Sequence, residues 1–458
     1  MLYERWREVA RECAGEIALR DLASKRRWTF AQLAAGTESA RPPTNPRPLP
    51  ARDEQGESLG EGLSQTNRPS APRPSPPAAG GEGDGAARVS FPAGNSPEFI
   101  FAVLRAWRFG QVICPLETGV TLPALTFPPS NVCLLKTTSA TTGAARHVAF
   151  TEAQLAADPE NIVTTMGLRR DSPNLGVISL AHSYGFSNLV LPLLLHGVPL
   201  VLAPSALPEA LRRAAATGGN WTLPAVPALW RAWHEAGAIP GNVRLAISAG
   251  APLPLALEQA VFADSGLKLH NFLGSSECGG IAYDATDAPR TDAAFVGSAM
   301  RNVALTRGDD DCLVVRSASV AETYWPEADA RLSGGVFRTS DLVELRGDAV
   351  FLRGRAGDLI NVAGRKVAPE TIEQALLEHP AVRECLVFGV PSDDAARGDE
   401  IAAVFALREE IAVEQLRQFL HDRLPDWQIP REWHRVESLG VNARGKLSRA
   451  EWKKNLRP

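Results

Sequence analysis

Between residues 96 and 273 the sequence changes its hydrophobic period repeatedly, and this alternation narrows the possible folds more than any composition figure. SPEFIFAVLRAWRFG spaces its apolar residues for one helix face and stops at Gly110, after which QVICPL reads as a buried strand. Strand patterns at 132–137, 175–180, 199–202, 243–248 and 269–273 interleave with helix patterns at 152–166, 186–196 and 255–265. Helices and strands in alternation pack as layers with parallel strands, so the expected class is α/β. From Cys312 the pattern shifts to short strands, CLVVRS, VFRTSDLVELR and AVFLRGR. A compact α+β tail then begins near Gly357, with a helix at 369–378 and strands at 384–390 and 401–407.

At roughly 150 residues per domain, 458 residues suit one large domain and a smaller one. The expected division is a large N-terminal domain of layered sheets and helices over 1–356 and a small, mobile α+β C-terminal domain over 357–458. Inside the first, 38–88 reads as a flexible insertion. No aromatic residue lies between Phe30 and Phe91, and ten of the thirty-five prolines fall from Pro42 to Pro77, so the stretch buries too little apolar surface to offset its ordering entropy. A polyproline docking site would need an aromatic anchor that the stretch lacks.

A net charge of -4 offers no basic surplus for nucleic acid. The most apolar run, 189–204, is broken by Pro192, His196 and Pro199, too short for a membrane span of roughly 20 apolar residues. The charged N-terminus lacks the apolar centre of a signal peptide. Six well-separated cysteines form no CxxC pair, which excludes a disulfide scaffold or structural zinc and suits a reducing cytoplasm.

The run from Lys136 to Arg146, KTTSATTGAAR, follows a predicted strand and supplies hydroxyls, a glycine and then a cation, the groups that triphosphate oxygens need. It lacks the GxxxxGK[ST] of a Walker loop, and standing alone it is equally a solvated loop. LAHSYGFSN brings His182, Tyr184 and Gly185 to a strand end entering a helix, where a lone histidine is as readily a core group. SAGAPLP at 248–254 and NFLGSSECGG at 271–280 each put a small-residue turn after an apolar strand, the position at which α/β sheets bind ligands. Glu277 offers a hard oxygen to Mg²⁺ or a cap to a helix, and Asp341, read as lying in a turn, suits a ribose diol or a simple cap. Arg355, Gly357 and Asp358 stand between the two halves, and Lys446 sits on a glycine-bearing loop in NARGKLSR.

In this order, from Trp28-Thr29-Phe30 to Lys446, the motifs resemble the adenylate-forming superfamily of acyl- and aryl-CoA synthetases, nonribosomal-peptide adenylation domains and luciferases. The family's TSGTTGxPKG loop matches 138–147, HxYG matches 182–185, YGxTE matches 273–277, TGD matches 339–341, and GRxDDxIKxxG matches 354–364. The resemblance implies that Thr138, Ser139, Thr141, Thr142, Gly143 and Arg146 cradle the phosphates of ATP, with Gly250, Leu273 and Gly274 beside the nucleotide. It further implies that Ser276 contacts the α-phosphate, Glu277 binds Mg²⁺, Asp341 and Arg355 hold the ribose, and Lys446 bridges acid and α-phosphate, with His182 beside the reacting groups. Tyr184, Phe186, Ala249, Gly250, Cys278, Gly279 and Gly280 would line the acid pocket, whose small residues leave room for a ring or an alkyl chain. Gly357 would be the hinge, and Gly364 would lie near the thiol's approach.

Several positions depart from the pattern. Ala140 replaces a loop glycine, and Arg146 replaces a lysine, turning a point charge into a planar fork. Leu273 stands where an aromatic normally stacks on adenine, and Phe272 should point to the opposite strand face. Gly357 and Asn361 replace charged hinge-region residues, and only a short segment separates Glu117 from Lys136. The expected activity is ATP-dependent conversion of an aryl or fatty acid to an acyl adenylate, then transfer to the thiol of coenzyme A, with the phosphopantetheine of a carrier protein acting in trans as the alternative acceptor. The alternative is a degenerate, non-catalytic nucleotide or acyl binder, against which the retention of Glu277, Asp341, Arg355 and Lys446 weighs. Replacing 42–77 with a short Gly/Ser link should leave the melting temperature and the adenylation rate nearly unchanged. Unfolding of that variant would make the segment structural.

Overall fold

The computed structural model describes residues 1–41, 89–123, 125–126, 128–137, 146–392, 398–440 and 449–456. The proline-rich stretch from 42 to 88, the hydroxyl loop at 138–145 and Lys446 lie outside them.

Fourteen strands among the described residues form one sheet, and its two wings follow different rules. In one wing, Leu269–Ser275, Val243–Ala249, Trp221–Ala225, Asn174–Gly176, Leu200–Leu202 and Ile17–Asp21 lie side by side and parallel. The other wing begins where Leu269–Ser275 turns back on itself into Gly279–Tyr283. From there Phe295–Ala299, Ala349–Arg355, Val336–Arg346, Cys312–Ser317 and Val303–Arg307 continue antiparallel. A second sheet joins Thr323–Trp325, His147–Thr151, Val132–Thr137, Val112–Ile113 and Val89–Ser90. The hydroxyl loop is therefore the connection between Val132–Thr137 and His147–Thr151, which pair antiparallel. Beyond Gly357 come the hairpin Ile360–Val362/Arg365–Val367, the helices Pro369–Leu377 and Val413–His421, and a three-stranded sheet of Val382–Pro391, Asp399–Leu407 and Glu432–Arg435. The architecture is thus α/β, with a large N-terminal sheet domain and a smaller C-terminal one.

Apolar side chains from Leu2 to Val350 build the main core, including the fully buried Trp6, Phe30, Phe99, Trp221, Trp230 and Trp233, while Ile360, Val387, Phe405, Leu416 and Leu420 belong to a separate cluster. The helix Leu2–Glu12, which the sequence marks only by its lack of a signal peptide, belongs to the main core through Leu2, Trp6 and Val9. Helix Glu152–Met166 begins with a reciprocal capping box between Thr151 and Gln154 and ends at left-handed Gly167.

Two elements differ from the expectation for a physical reason. The strand expected at 175–180 stops at Gly176, because the side chain of Asn95 takes over the pairing: its Oδ1 accepts from the Leu180 amide (2.8 Å) and its Nδ2 donates to the Ile178 carbonyl (3.1 Å). The helix expected at 186–196 starts earlier, at Ser183–Gly185, runs through a π-helical segment Phe186–Val190 and finishes as Leu191–His196. Pro192 has no amide to give the Asn188 carbonyl, which accepts instead from Asn174 Nδ2 at 3.1 Å.

A buried ion cluster steadies the edge of the parallel wing. Glu258, fully buried, accepts from Lys268 and from Arg290 Nε (2.7 Å); Lys268 also reaches Asp284 (2.7 Å), and Arg290 Nη2 donates to the Leu253 carbonyl (2.6 Å) in the turn after Gly250. Removing one carboxylate leaves buried cations short of charge, so Glu258→Gln should cost about 3 kcal/mol, read as a lowered urea midpoint. An unchanged midpoint would show that the cluster is not stabilising.

Candidate active site

Parallel strands deliver the segments after their carboxyl ends to one sheet edge, and the segments after Asn174–Gly176, Val243–Ala249 and Leu269–Ser275 carry the site residues. After Asn174–Gly176 the chain returns toward its own helix so closely that a Cβ on Gly185 would lie 1.9 Å from the Ser179 carbonyl oxygen. Only glycine permits that approach, which seats His182 at the helix entrance. His182 Nε2 lies 3.2 Å from Glu117 Oε1, an oxygen that also accepts from the Ser179 hydroxyl. Tyr184 is half-buried, its hydroxyl donating to the Ile247 carbonyl (3.3 Å), and desolvation raises its pKa.

After Val243–Ala249 comes Gly250, with φ +86°. After Leu269–Ser275 the hairpin turn holds Ser276 and Glu277. The Glu277 amide donates to Ser275 Oγ (3.2 Å), and its Oε1 accepts from the Tyr324 hydroxyl (3.0 Å). Glu277 is thus a turn carboxylate fixed by a phenol rather than a helix cap. Burial and the neighbouring Glu277 both raise the Tyr324 pKa, which keeps the phenol a donor. The Arg146 guanidinium lies 5.0 Å over the Tyr324 ring and 3.3 Å from Asp329 Oδ2. Hydrogen bonds from Arg331, with help from Arg146, hold Asp329 well below the usual carboxylate range. Arg146, at the exit of the hydroxyl loop, is therefore linked to the candidate metal ligand through one tyrosine.

Asp341 lies within the strand Val336–Arg346 rather than in a turn, opposite Arg355 on Ala349–Arg355. Arg355 Nε donates to Asp341 Oδ1 at 2.8 Å, so the two expected ribose contacts form a cross-strand pair. Leu273 is partly buried, while Phe272 faces the other side of the strand, its ring 6.0 Å from that of Tyr184; Gly274 follows on the same strand.

Two pocket expectations change. Phe186 turns into the core, edge-on to Phe99 at 6.3 Å, because the π-helical segment directs it inward. The glycines after Cys278 do not open space on the sides their side chains would occupy: a Cβ on Gly279 would lie 1.9 Å from Asp158 Oδ1, and one on Gly280 would lie 2.4 Å from Met300 Sδ. Ala249 is buried beside Gly250, and Cys278 is buried with its thiol 3.2 Å from Ser275 Oγ. Thr138, Ser139, Thr141, Thr142, Gly143 and Lys446 lie outside the described residues.

Comparison with known proteins finds two family models in order along the chain: AMP-binding enzyme over residues 122–325 and AMP-binding enzyme C-terminal domain over 371–446. The chain belongs to the adenylate-forming superfamily. A feruloyl-CoA synthase from Amycolatopsis sp is 27% identical over 350 residues, which cover 72% of this chain and 71% of that protein. In fold, the chain is similar to ATP-bound MatB from Rhodopseudomonas palustris, with a TM-score of 0.79 and 18% identity over 100% of this chain and 99% of the other. It is also similar to o-succinylbenzoate CoA synthetase (MenE) from Bacillus subtilis in complex with an acyl-adenylate, with a TM-score of 0.77 and 18% identity over 98% and 97%. Among the described residues no helix is long and apolar enough to cross a membrane.

In this adenylate-forming chain, Gly357 sits in the turn closed by the Asp358 amide on the Arg355 carbonyl (3.0 Å), and Gly364 lies in the turn of the hairpin Ile360–Val362/Arg365–Val367. The donor set fits Mg²⁺ carried on a triphosphate: Glu277 supplies a hard oxygen from a carboxylate whose orientation Tyr324 fixes, and phosphate oxygens would supply most of the remaining ligands.

The sequence assigns no site role to Glu117, Tyr324, Lys136 or Asp158. Two of them carried a signal. Lys136 follows the apolar run VCLL on its strand, and Asp158 falls on the buried stripe Leu155, Ile162 and Met166 of its helix, so residues of opposite charge type occupy two core positions. Tyr324 and Glu117 gave none, because only the tertiary fold brings them to Glu277 and His182.

Tyr324→Phe removes one donor to a carboxylate. It should lower kcat/KM for Mg-ATP about tenfold and raise the Mg²⁺ concentration needed for half-maximal rate. An unaltered Mg²⁺ titration would detach Tyr324 from the metal site.

Proposed function

We propose that the chain activates a compact carboxylic acid as its acyl adenylate and passes the acyl group to the thiol of coenzyme A. The observation that supports this most directly is the Arg146–Tyr324–Glu277 arrangement, which joins the exit of the hydroxyl loop to a metal-competent carboxylate at the carboxyl edge of parallel strands. A substrate carboxylate oxygen attacks the α-phosphorus of ATP; the P–O bond to the β-phosphate breaks and pyrophosphate leaves. The thiol sulfur then attacks the acyl carbon, AMP departs, and the thiol proton passes to solvent. Bound through Glu277, Mg²⁺ supplies charge neutralisation on the phosphoryl oxygens. The chain's own part is alignment: Arg146 and the hydroxyls at 138–143 hold the triphosphate, Ser276 the α-phosphate, and Asp341 with Arg355 the ribose.

The finer choice of acid rests on packing. Asp158 and Met300 fill the space beside Gly279 and Gly280, which favours a short or aryl acid over a long alkyl chain. Feruloyl-CoA synthase among the relatives is consistent with an aryl acid. The small C-terminal unit, taken from Gly357 onward, is proposed to reorient between the two half-reactions, with the turn at Arg355–Asp358 as the place where the backbone yields.

The test is ATP–pyrophosphate exchange over acetate, malonate, benzoate, ferulate and palmitate, followed by thioester formation with coenzyme A. Exchange with a short or aryl acid and not with palmitate is expected. Thioester formation only with phosphopantetheine on a carrier protein would move the acceptor to a protein, and no exchange with any acid would favour the non-catalytic binder. Lys446→Ala should slow exchange roughly 100-fold while sparing thioester formation from supplied adenylate. Unchanged exchange would remove Lys446 from the reaction.

A further inference from the structure

Lys136 is a cation where the sheet calls for an apolar residue. Leu134 and Leu135, before it on the same strand, are fully buried, Lys136 itself is 4% exposed, and its side-chain nitrogen lies 4.6 Å over the Phe150 ring. It donates to Ser183 Oγ and to Ser187 Oγ, each at 3.3 Å. The Ser187 hydroxyl donates in turn to Asp158 Oδ2 at 2.5 Å, and Asp158 Oδ1 accepts from the Gly280 amide at 3.2 Å. The path from Lys136 through the Ser187 hydroxyl to Asp158 has one direction, from a lysine donor through a hydroxyl to a carboxyl acceptor, and Ser183 and the Gly280 amide join it at either end.

Three separate pieces of the site meet in it. Lys136 stands two residues before the hydroxyl loop begins, Ser183 is the residue between His182 and Tyr184, and Gly280 follows the turn that carries Glu277. We propose that Lys136 and Asp158 form a buried positioning pair that fixes the His182–Tyr184 helix entrance and the Gly279–Gly280 backbone relative to each other, and so sets the fit of the acid. This rests on the acid-activating reading given above. Asp341, Arg355 and Gly250 make none of its hydrogen bonds, whereas Ser183, between His182 and Tyr184, and the Gly280 amide do, so its disruption should fall more heavily on the acid than on the nucleotide.

The experiment measures KM for the acid and for ATP separately, by pyrophosphate exchange with whichever acid of the panel exchanges fastest. Ser187→Ala deletes one oxygen from the relay and leaves both charges, and it should raise the acid KM several-fold with the ATP KM within twofold. Lys136→Met with Asp158→Asn removes both charges together, avoiding a lone buried ion, and should raise the acid KM at least tenfold with the same sparing of ATP. A melting curve on each variant separates lost protein from altered affinity, and Ser187→Ala decides the matter if the double variant does not fold. Wild-type acid KM in Ser187→Ala, or an equal rise for acid and ATP, overturns the positioning role alone. No exchange by the unaltered protein with any acid overturns the acid-activating reading and the role with it.

Discussion

Strand polarity is the constraint on which the site depends. Because Leu269–Ser275, Val243–Ala249, Trp221–Ala225 and Asn174–Gly176 run the same way, the chain leaves each of them at one edge, and residues far apart in sequence arrive together. The reversal at Ser276 and Glu277 ends that regime. From there each strand returns antiparallel to its neighbour, and the second wing carries Asp341 and Arg355 as a facing pair. A candidate metal ligand at the junction of two wings is held by a tight hairpin on one side and by Tyr324 on the other, so its orientation does not depend on side-chain freedom.

Buried polar groups do most of the remaining positioning. Glu258 with Arg290 and Lys268, Asp158 with Ser187 and Lys136, and Asn95 along 178–180 each satisfy backbone or side-chain groups that loops next to a site leave without strand partners. Such groups are costly to bury unpaired, and that cost makes them specific: a rearranged loop would strand a charge or an amide in a low-dielectric core. Apolar packing alone would tolerate several placements of the same loops.

The departures from the family pattern fall in different places with different consequences. Arg146 keeps its cation engaged with Asp329 and Tyr324, so the planar guanidinium has found partners that suit its shape. Leu273 supplies only aliphatic surface, and Phe272 cannot substitute for it, because the pleat turns it toward Tyr184.

Sequence by itself determined the layered α/β class, the helix Glu152–Met166, the strand Val132–Thr137, the strand at Val243–Ala249 to within one residue, and the ordered motifs that mark the reaction type, since periodicity and short motifs are local properties. It marked His182, Glu277, Asp341 and Arg355 as site residues but left their partners blank. Glu117 lies 65 residues before His182 and Tyr324 lies 47 after Glu277, and nothing local to either residue records the other. The inward turn of Phe186 and the filling of the space beside Gly279 and Gly280 were likewise decided only by tertiary structure. A missing amide at Pro192 shifts the helix register around Phe186, and the Asp158 carboxylate and the Met300 thioether take the volume that small residues had suggested was open. Volume and partnership are properties of packing, and packing is set by all the elements at once.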